Sequence, residues 1–331
     1  MFNGVKCLAI VLLLFAIAAP VCAQEAAAKE SKLAALNAKF ALRDDALRFV
    51  PGEGGLPCAE IKTPLCTARI YLQGAHVSAW QPAGFDPVIF MSPKSVFEEG
   101  KPMRGGVPVC FPWFGSKPGD PSAPGHGFAR IMEWGVESVQ RSGPGDVAIV
   151  LVLKSSEATK RYWEHEFVLR HRVVVGKQLS MTLEVTNTGA TPMQFAEALH
   201  SYYAVKDIHQ VKLSGLDGAK YVDKVDGRKT KQQAGALTFA ADTDLLFPGT
   251  TKPVTIIDPL LGRKITVEKS GSSTTSIFNP WSTRARTISD LGPDNWVGML
   301  CVETLNVEEN EVTLPPKAVH QMQARISVER L

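Results

Sequence analysis

Most of the chain after Ala46 is divided into short segments of the kind that form β-strands. They are rich in Val, Ile, Thr and aromatic residues, and Gly, Pro, Asn or Asp bound them. Helical hydrophobic spacing is nearly absent there, and no repeat of solenoid or propeller length is visible. We predict strands at Thr67–Leu72, His76–Trp80, Val147–Lys154, Phe167–Val175, Leu179–Thr186, Phe195–Val205, Val254–Ile257, Lys264–Glu268 and Val297–Glu303.

These segments predict an all-β protein built as one large sandwich. The chain has 331 residues, which would allow one large domain or two smaller ones, but no Gly/Ser-rich linker divides it. Its hydrophobic fraction of 45% is sufficient for a core of that size. We therefore assign residues 46–331 to the sandwich and residues 24–45, which are rich in Ala, Glu, Lys and Leu, to a short helical lead-in.

The first 23 residues have the pattern of a signal peptide. Lys6 provides a positive start, an apolar run follows, and Val21-Cys22-Ala23 fits a cleavage site of small residues. The run is too short to span a bilayer comfortably. We predict cleavage after Ala23 and a periplasmic or secreted protein; a lipid anchor on Cys22 is the alternative, although the residues before that cysteine match it poorly.

Four cysteines follow the predicted cleavage site. An oxidising compartment would allow a disulfide between Cys58 and Cys66, which flank a turn-like Thr-Pro, whereas Cys110 and Cys301 lie in apolar runs typical of buried thiols. The absence of a Cys-x-x-Cys pair argues against structural zinc. The formal net charge of +3, without a basic tract, argues against a nucleic-acid partner.

The stretch from Arg104 to Arg130 is the most unusual part of the sequence. Gly and Pro recur through an apolar run that contains three aromatics within four residues, so regular helix is excluded. A loop that folds back would bring both arginines close to His126, and an arginine suits a phosphate or carboxylate. Two interpretations stay open: an anion-binding loop, or a buried loop whose arginines pair with carboxylates elsewhere.

Two ionisable residues lie within predicted strands. Alternation places His200 on one face with Ala196, Ala198 and Tyr202, where two small residues would leave space for a pocket. Alternation also places Glu303 on an apolar face, where burial would raise its pKa. The alternatives are a core histidine and a glutamate at a strand end facing solvent.

Asp244, in the polar run Asp242-Thr243-Asp244, could accept hydrogen bonds from sugar hydroxyls or cap a turn. The sequence contains no Gly-x-Ser-x-Gly elbow, phosphate-binding P-loop, dinucleotide fingerprint or His-Glu-x-x-His run. Hydrolase, kinase, dehydrogenase and metalloprotease functions therefore have no support from motifs.

From about Leu36 to its C-terminus, the chain resembles the glucose-6-phosphate 1-epimerases, or hexose-6-phosphate mutarotases, of the aldose 1-epimerase superfamily. The matching blocks are Gly74–Val77, Arg104–Gly115, His126–Arg130, Ser156–Thr159, Ala198–Tyr202, Asp242–Asp244, Asn279–Trp281 and Cys301–Glu303. The resemblance implies a galactose-mutarotase-like β-supersandwich without a metal or other cofactor. It also implies a small sugar or sugar-phosphate substrate, and we expect a monomer that binds neither nucleic acid nor, after cleavage, a membrane.

The resemblance also implies residue roles. His200 and Glu303 match the catalytic pair, with Glu303 taking the proton of the C1 hydroxyl and an imidazolium at His200 protonating the ring oxygen. Arg104, Arg130 and Asp244 match sugar- or phosphate-binding positions, and His126 is expected to line the same pocket.

Two departures leave the substrate open. Gly125 stands where family members often have a sugar-binding glutamine, and hexose 6-phosphates are chiefly cytosolic, whereas this chain has a predicted signal peptide. A mutarotase for another phosphorylated, free or acidic sugar, and an exported carbohydrate-binding protein without turnover, are therefore alternatives. A lyase or hydrolase on the same sandwich would need a further acid or metal site that the sequence does not show.

Overall fold

The computed structural model describes Gln24, residues 27–42 and residues 44–331. The predicted signal peptide lies outside these residues. The described chain begins with helix α1 over residues 27–40, in which Leu33 is buried and Leu36 and Phe40 pack on the core. The amide side chain of Asn37 fixes this helix to the first strand, because it donates to the Phe49 carbonyl and accepts from the Phe49 amide, both at 2.7 Å.

The remaining described residues are mostly strands joined by turns. Two short helices interrupt them, α2 (Glu157–Lys160) and α3 (Trp281–Ala285), together with 3-10 turns at Glu53–Gly55, Ala129–Ile131, Ile208–Gln210, Asn295–Gly298 and Glu308–Asn310. The first twelve strands are β1 (Leu47–Pro51), β2 (Pro57–Lys62), β3 (Cys66–Tyr71), β4 (His76–Pro82), β5 (Val109–Cys110), β6 (Gly135–Gly143), β7 (Asp146–Lys154), β8 (Phe167–Val175), β9 (Leu179–Asn187), β10 (Met193–Phe195), β11 (Glu197–Leu199) and β12 (Tyr202–Ala204). The others are β13 (Lys212–Ser214), β14 (Lys220–Asp223), β15 (Lys229–Gln232), β16 (Leu237–Thr238), β17 (Thr243–Pro248), β18 (Val254–Asp258), β19 (Arg263–Ser270), β20 (Thr274–Asn279), β21 (Met299–Asn306), β22 (Val312–Leu314) and β23 (Val319–Arg330).

These strands form two large sheets and two small ones. The nine-stranded sheet has the order β16-β13-β18-β19-β23-β9-β8-β7-β6, and the eight-stranded sheet has the order β15-β14-β17-β20-β21-β11-β5, with β12 also paired to β21. A four-stranded sheet, β1-β2-β3-β4, and the pair β10-β22 complete the set. One hydrophobic cluster joins side chains from the sheets, including Ile70, Leu183 and Ile277, so the predicted all-β supersandwich is confirmed.

Residue patterns explain why the two large sheets differ. In β8 and β9, buried residues alternate with partly exposed ones over nine residues each, as expected when one face of a strand packs on the core. All eight residues of β21 are buried. Any polar side chain on β21 is therefore enclosed by protein or by a cavity.

The nine predicted segments all overlap strands of the structure, with two corrections to their bounds. Phe195–Val205 is not continuous: it is divided into β10, β11 and β12, and His200 lies in the break. The segment predicted from Val297 begins as a 3-10 turn, and the strand starts at Met299. The other strands of the structure were not predicted, among them β23, the longest strand described.

The possible disulfide between Cys58 and Cys66 is wrong. In the hairpin of β2 and β3, Cys58 pairs with Tyr71, five residues from Cys66, which corresponds to a separation of roughly 17 Å along the strand. Both thiols are free and buried. The prediction that Cys110 and Cys301 are buried thiols is confirmed. Among the described residues, no helix is long and apolar enough to cross a membrane.

Candidate active site

The loop from Arg104 to Arg130 follows a path that requires glycine at several points, including Gly106 and Gly127. Gly106 has φ 66°, and a Cβ there would lie 2.0 Å from Nε2 of His76. Gly127 has φ 77°, and a Cβ there would lie 2.0 Å from the Phe111 carbonyl oxygen. A side chain at either glycine would therefore displace the loop, since both glycines combine left-handed backbone with close contacts.

This loop, the strands β12, β17, β20 and β21, and the turns and short helix beside them surround a cavity of about 410 Å³. His200 follows β11, and its amide donates to the Pro108 carbonyl. Glu303 lies in the middle of β21, opposite Ser276 of β20. Both side chains line the cavity, so the strand-end position considered for Glu303 is wrong, and the pocket interpretation of His200 is supported.

His200 and Glu303 face each other with little hydrogen bonding. Nδ1 of His200 is 3.6 Å from Oε1 of Glu303. Nδ1 of His200 and Oε2 of Glu303 are buried and have no hydrogen-bond partner. Unsatisfied buried polar atoms are rare and costly. In this cavity they are available to a ligand that carries hydroxyl groups.

The surroundings of the pair act on its two pKa values in opposite directions. Burial, with the positive charges of Arg104 and Arg130 and the nearby His126, holds the pKa of His200 well below its usual range. Burial raises the pKa of Glu303 to about 8, although the positive charge of Lys224 opposes the rise and Asp244 adds to it. Both shifts favour neutral groups, so the pair holds its proton on the carboxyl group at neutral pH.

Aromatic rings form the wall around His200. The ring of Tyr202 stacks on the His200 ring at 4.9 Å between centroids with an interplanar angle of 7°. Phe114 lies 6.2 Å away and His126 5.6 Å away. The three aromatics noted in the loop sequence thus contribute one cavity residue, Phe114, whereas Phe111 and Trp113 pack in the core.

His126 lies in the cavity wall, as predicted. Its Nδ1 accepts a hydrogen bond from the Gly115 amide at 3.3 Å. Burial and the charges of Arg130, Arg104 and Lys224 lower its pKa to about 3. It is therefore a neutral group in the wall rather than an additional cation.

The two arginines of the loop have different positions. Arg104 lines the cavity, where its guanidinium bonds to Asp290 and to the Tyr202 hydroxyl, both at 3.1 Å. Arg130 is not among the residues that line the cavity. It donates from Nη2 to the Gly125 carbonyl at 2.6 Å. The expectation that Arg130 binds the anion directly is corrected: in the described structure it holds the loop before His126.

Asp244 also lines the cavity, at the start of β17 rather than in a loop. It links two cations, because its carboxylate lies 3.7 Å from Nζ of Lys224 and 3.1 Å from Nη1 of Arg284. Lys224, Arg228 and Arg284 are cavity residues that the sequence analysis missed. They belong to polar turns or a short helix and have no distinctive spacing.

Together these residues make the cavity basic. Four cations line it, Arg104, Lys224, Arg228 and Arg284, against the carboxyl groups of Asp244, Glu303 and Glu308. Within the lining, the excess is 4 − 3 = +1 with Glu303 ionised and 4 − 2 = +2 with it protonated. Asp290 and Asp242, which are outside the lining, pair with Arg104 and Arg284 from behind. The fold and the cavity therefore define an acid–base site in a β-supersandwich that favours anionic ligands.

Comparisons with known proteins identify the family. The sequence model of the aldose 1-epimerase family matches residues 57–327. Proteins from Salmonella typhimurium and Cenchrus ciliaris, both named "Putative glucose-6-phosphate 1-epimerase", are 35% and 32% identical over 80% and 76% of this chain and 86% and 78% of their own lengths.

Solved structures agree with this assignment. The crystal structure of a "putative mutarotase" from Salmonella typhimurium has a TM-score of 0.82 at 31% identity, covering 88% of this chain and 96% of that one. A protein of Synechocystis with 20% identity and a TM-score of 0.71, covering 83% and 96%, shares the fold. The chain belongs to the aldose 1-epimerase family.

Proposed function

We propose that the protein interconverts the α and β anomers of a hexose 6-phosphate such as glucose 6-phosphate. The observation that carries this proposal is the His200–Glu303 pair, 3.6 Å apart and short of hydrogen bonds, on the wall of a cavity with an excess of cations. A sugar phosphate would present hydroxyls to the pair and its dianion to the cations.

Ring opening needs one proton removed from the C1 hydroxyl and one delivered to the ring oxygen. A pair that shares a single proton provides one base and one acid. After rotation about the C1–C2 bond, the reverse transfers close the ring on the other face, and the pair regains its starting state. The pKa shifts favour His200 as the initial base and Glu303 as the initial acid, the reverse of the roles expected from the sequence.

Lys224, Arg228 and Arg284 are the side chains that we assign to the phosphate. The paired carboxylates hold these cations in place without neutralising all of them. Binding energy from the anion would then orient the ring over the catalytic pair.

Exchange NMR between the two anomers of glucose 6-phosphate tests the function. We expect wild-type protein to accelerate exchange with a lower KM for glucose 6-phosphate than for glucose, and His200→Ala to abolish the acceleration. Equal KM values for the two sugars would refute the phosphate assignment. Sugar binding without exchange would instead indicate the carbohydrate-binding protein that Gly125 suggests.

We also propose export with cleavage after Ala23, which the pattern of residues 1–23 supports. Mass spectrometry of the protein recovered from the periplasm or medium would test it. Intact protein retained in the cytoplasm would contradict the proposal.

A further inference from the structure

A buried thiol lies beside the catalytic pair and has no role in the proposed reaction. Cys301 is two residues before Glu303 on β21, so both side chains project from the same face of the strand. In the strand pairing, Cys301 lies opposite Tyr202, whose ring stacks on His200. The sulfur is therefore brought next to the imidazole and the carboxyl group.

Three different metal-binding atoms converge at this point. A ring nitrogen of His200, Sγ of Cys301 and a carboxylate oxygen of Glu303 all lie within 4.8 Å of one another. The 3.6 Å between His200 Nδ1 and Glu303 Oε1 is close to the ~3.4 Å expected between two ligands of a tetrahedral zinc ion at ~2.1 Å. Zinc would hold the sulfur at about 3.6 Å from each of the other two ligand atoms, so side-chain movements that shorten these distances by at most about 1.2 Å would complete the geometry.

The hydrogen bonding of the cluster leaves ligand atoms free. His200 Nδ1 and Glu303 Oε2 are buried without partners, and the three residues are 8%, 0% and 2% exposed in the order His200, Cys301, Glu303. Because His200 and Glu303 line the cavity, an ion can reach the cluster from solvent, and a water molecule or sugar hydroxyl can occupy the fourth position.

We propose that His200, Cys301 and Glu303 form a site for a thiophilic divalent cation, with zinc as the reference ion, and that its occupancy inhibits the enzyme. A thiolate, a carboxylate and a neutral imidazole balance the two charges of the ion, which suits a buried site. The thiol proton and any carboxyl proton are released to solvent on binding.

Charges around the cluster limit the affinity without preventing binding. Arg104, Arg130 and Lys224 lie close enough to affect the pair, and they disfavour a cation. Asp290 and Asp244 are bonded to Arg104 and Lys224 and reduce the effect of these two side chains. We therefore expect reversible regulation rather than a permanently bound metal, in line with a reaction that needs no cofactor.

Cadmium titration tests the site directly, because a cadmium–thiolate bond gives an ultraviolet charge-transfer band. The parent protein would carry Cys7→Ser and Cys22→Ser, so that cysteines outside the described residues do not contribute. We expect one ion per chain and competition by zinc. Cys301→Ser should remove the band, whereas Cys58→Ser, which changes another fully buried thiol in a different sheet, should retain it.

The proposal is overturned if the parent shows no band or if Cys301→Ser keeps it. Cys301→Ala serves as a second variant if the serine substitution does not fold, with thermal melting as the check. His200→Ala should weaken cadmium binding at least tenfold but leave the thiolate band at saturation, since the sulfur ligand is unchanged.

The inhibitory part of the proposal rests on the proposed function and needs a second measurement. Zinc should slow anomer exchange by the parent, and a chelator should restore the rate. The exchange rate of each protein is expressed relative to its own metal-free rate. On this scale, Cys301→Ser should need at least tenfold more zinc than the parent for half inhibition. Equal zinc sensitivity of the parent and Cys301→Ser would refute inhibition through this site. A cadmium band in a protein without exchange activity would support the site while refuting the proposed function, so the two can fail separately.

Discussion

Among the described residues, two histidine–glutamate pairs are associated with β11 and β21, and they are built differently. His200 and Glu303 line the cavity, 3.6 Å apart and with unpartnered atoms. Behind them, Glu197 of β11 accepts hydrogen bonds through Oε1 from His320 at 2.7 Å and from Asn306 at 2.9 Å. Asn306 is three residues after Glu303 on β21, and His200 directly follows β11, so the two pairs lie near the same pair of strands.

The difference shows how the same residue types become either reactive or structural. At His320, burial lowers the pKa, but the bonded carboxylate of Glu197 outweighs it and the net shift is upward. At His200, no bonded carboxylate compensates, and the pKa is lowered. The buried pair thus joins β11, β21 and β23, whereas the cavity pair keeps its binding capacity for a ligand.

The strongest test of this comparison replaces the glutamate of each pair with glutamine, so that one carboxyl oxygen becomes an amide nitrogen. Glu303→Gln should lower the exchange rate by about 10²–10⁴-fold, because the amide can neither take nor give the proton. Glu197→Gln should keep most of the activity. Both rates come from exchange NMR on glucose 6-phosphate. A Glu197→Gln variant as inactive as Glu303→Gln would mean that the two pairs function as one unit.

The sequence predicted the cavity pair but not the buried pair, and the reason is physical. Hydrophobic alternation and the resemblance to the family pointed to His200 and Glu303. Glu197 was not singled out in the sequence; it is enclosed because β11 is a central strand that is buried on both faces. Only the sheet order brings His320, more than a hundred residues away, to that carboxylate.

The cation end of the cavity shows a similar limit. Arg104 and the glycine-rich loop were recognisable because their composition is unusual. The sequence around Lys224, Arg228 and Arg284 has no feature that distinguishes these residues from ordinary surface cations. They line one cavity only because β14, β17 and β20 are neighbours in the sheet. Residue composition and the bounding turn residues predicted nine segments that overlap strands, whereas the break at His200 depends on contacts with the loop, such as the hydrogen bond to Pro108.

Stability provides the second test of the comparison. Glu197→Ala leaves the bonded groups of His320 and Asn306 without their acceptor, and we expect a loss of about 1–3 kcal/mol in the free energy of unfolding. Glu303→Ala should cost less, because it removes a carboxyl group whose Oε2 already lacks a partner. Urea denaturation measures both. A larger loss for Glu303→Ala would reverse the assignment of structural and reactive pairs.

A third prediction concerns the ligand that the cavity pair serves. Lys224→Gln should raise the KM for glucose 6-phosphate about tenfold, which corresponds to about 1.4 kcal/mol of binding, and should change the KM for glucose little. Lys231→Gln is the matched control, because Lys231 pairs with Asp223 and Asp226 and does not line the cavity. The same rise for both sugars would argue against a phosphate contact at Lys224.

The smallest expected effect is the pH dependence of the buried pair. The folded-state pKa of His320 is raised, so its stabilising contribution is fully present below the unfolded value of about 6.5 and is lost as pH rises through the folded pKa. The difference in unfolding free energy between wild type and His320→Gln should therefore be larger at about pH 5.5 than at about pH 8.5. In a Glu197→Gln background this pH dependence should disappear, because the acceptor charge is gone. A difference that grows with pH in the wild-type background would show that His320 is held neutral, as His200 is, and would remove the electrostatic distinction between the two pairs.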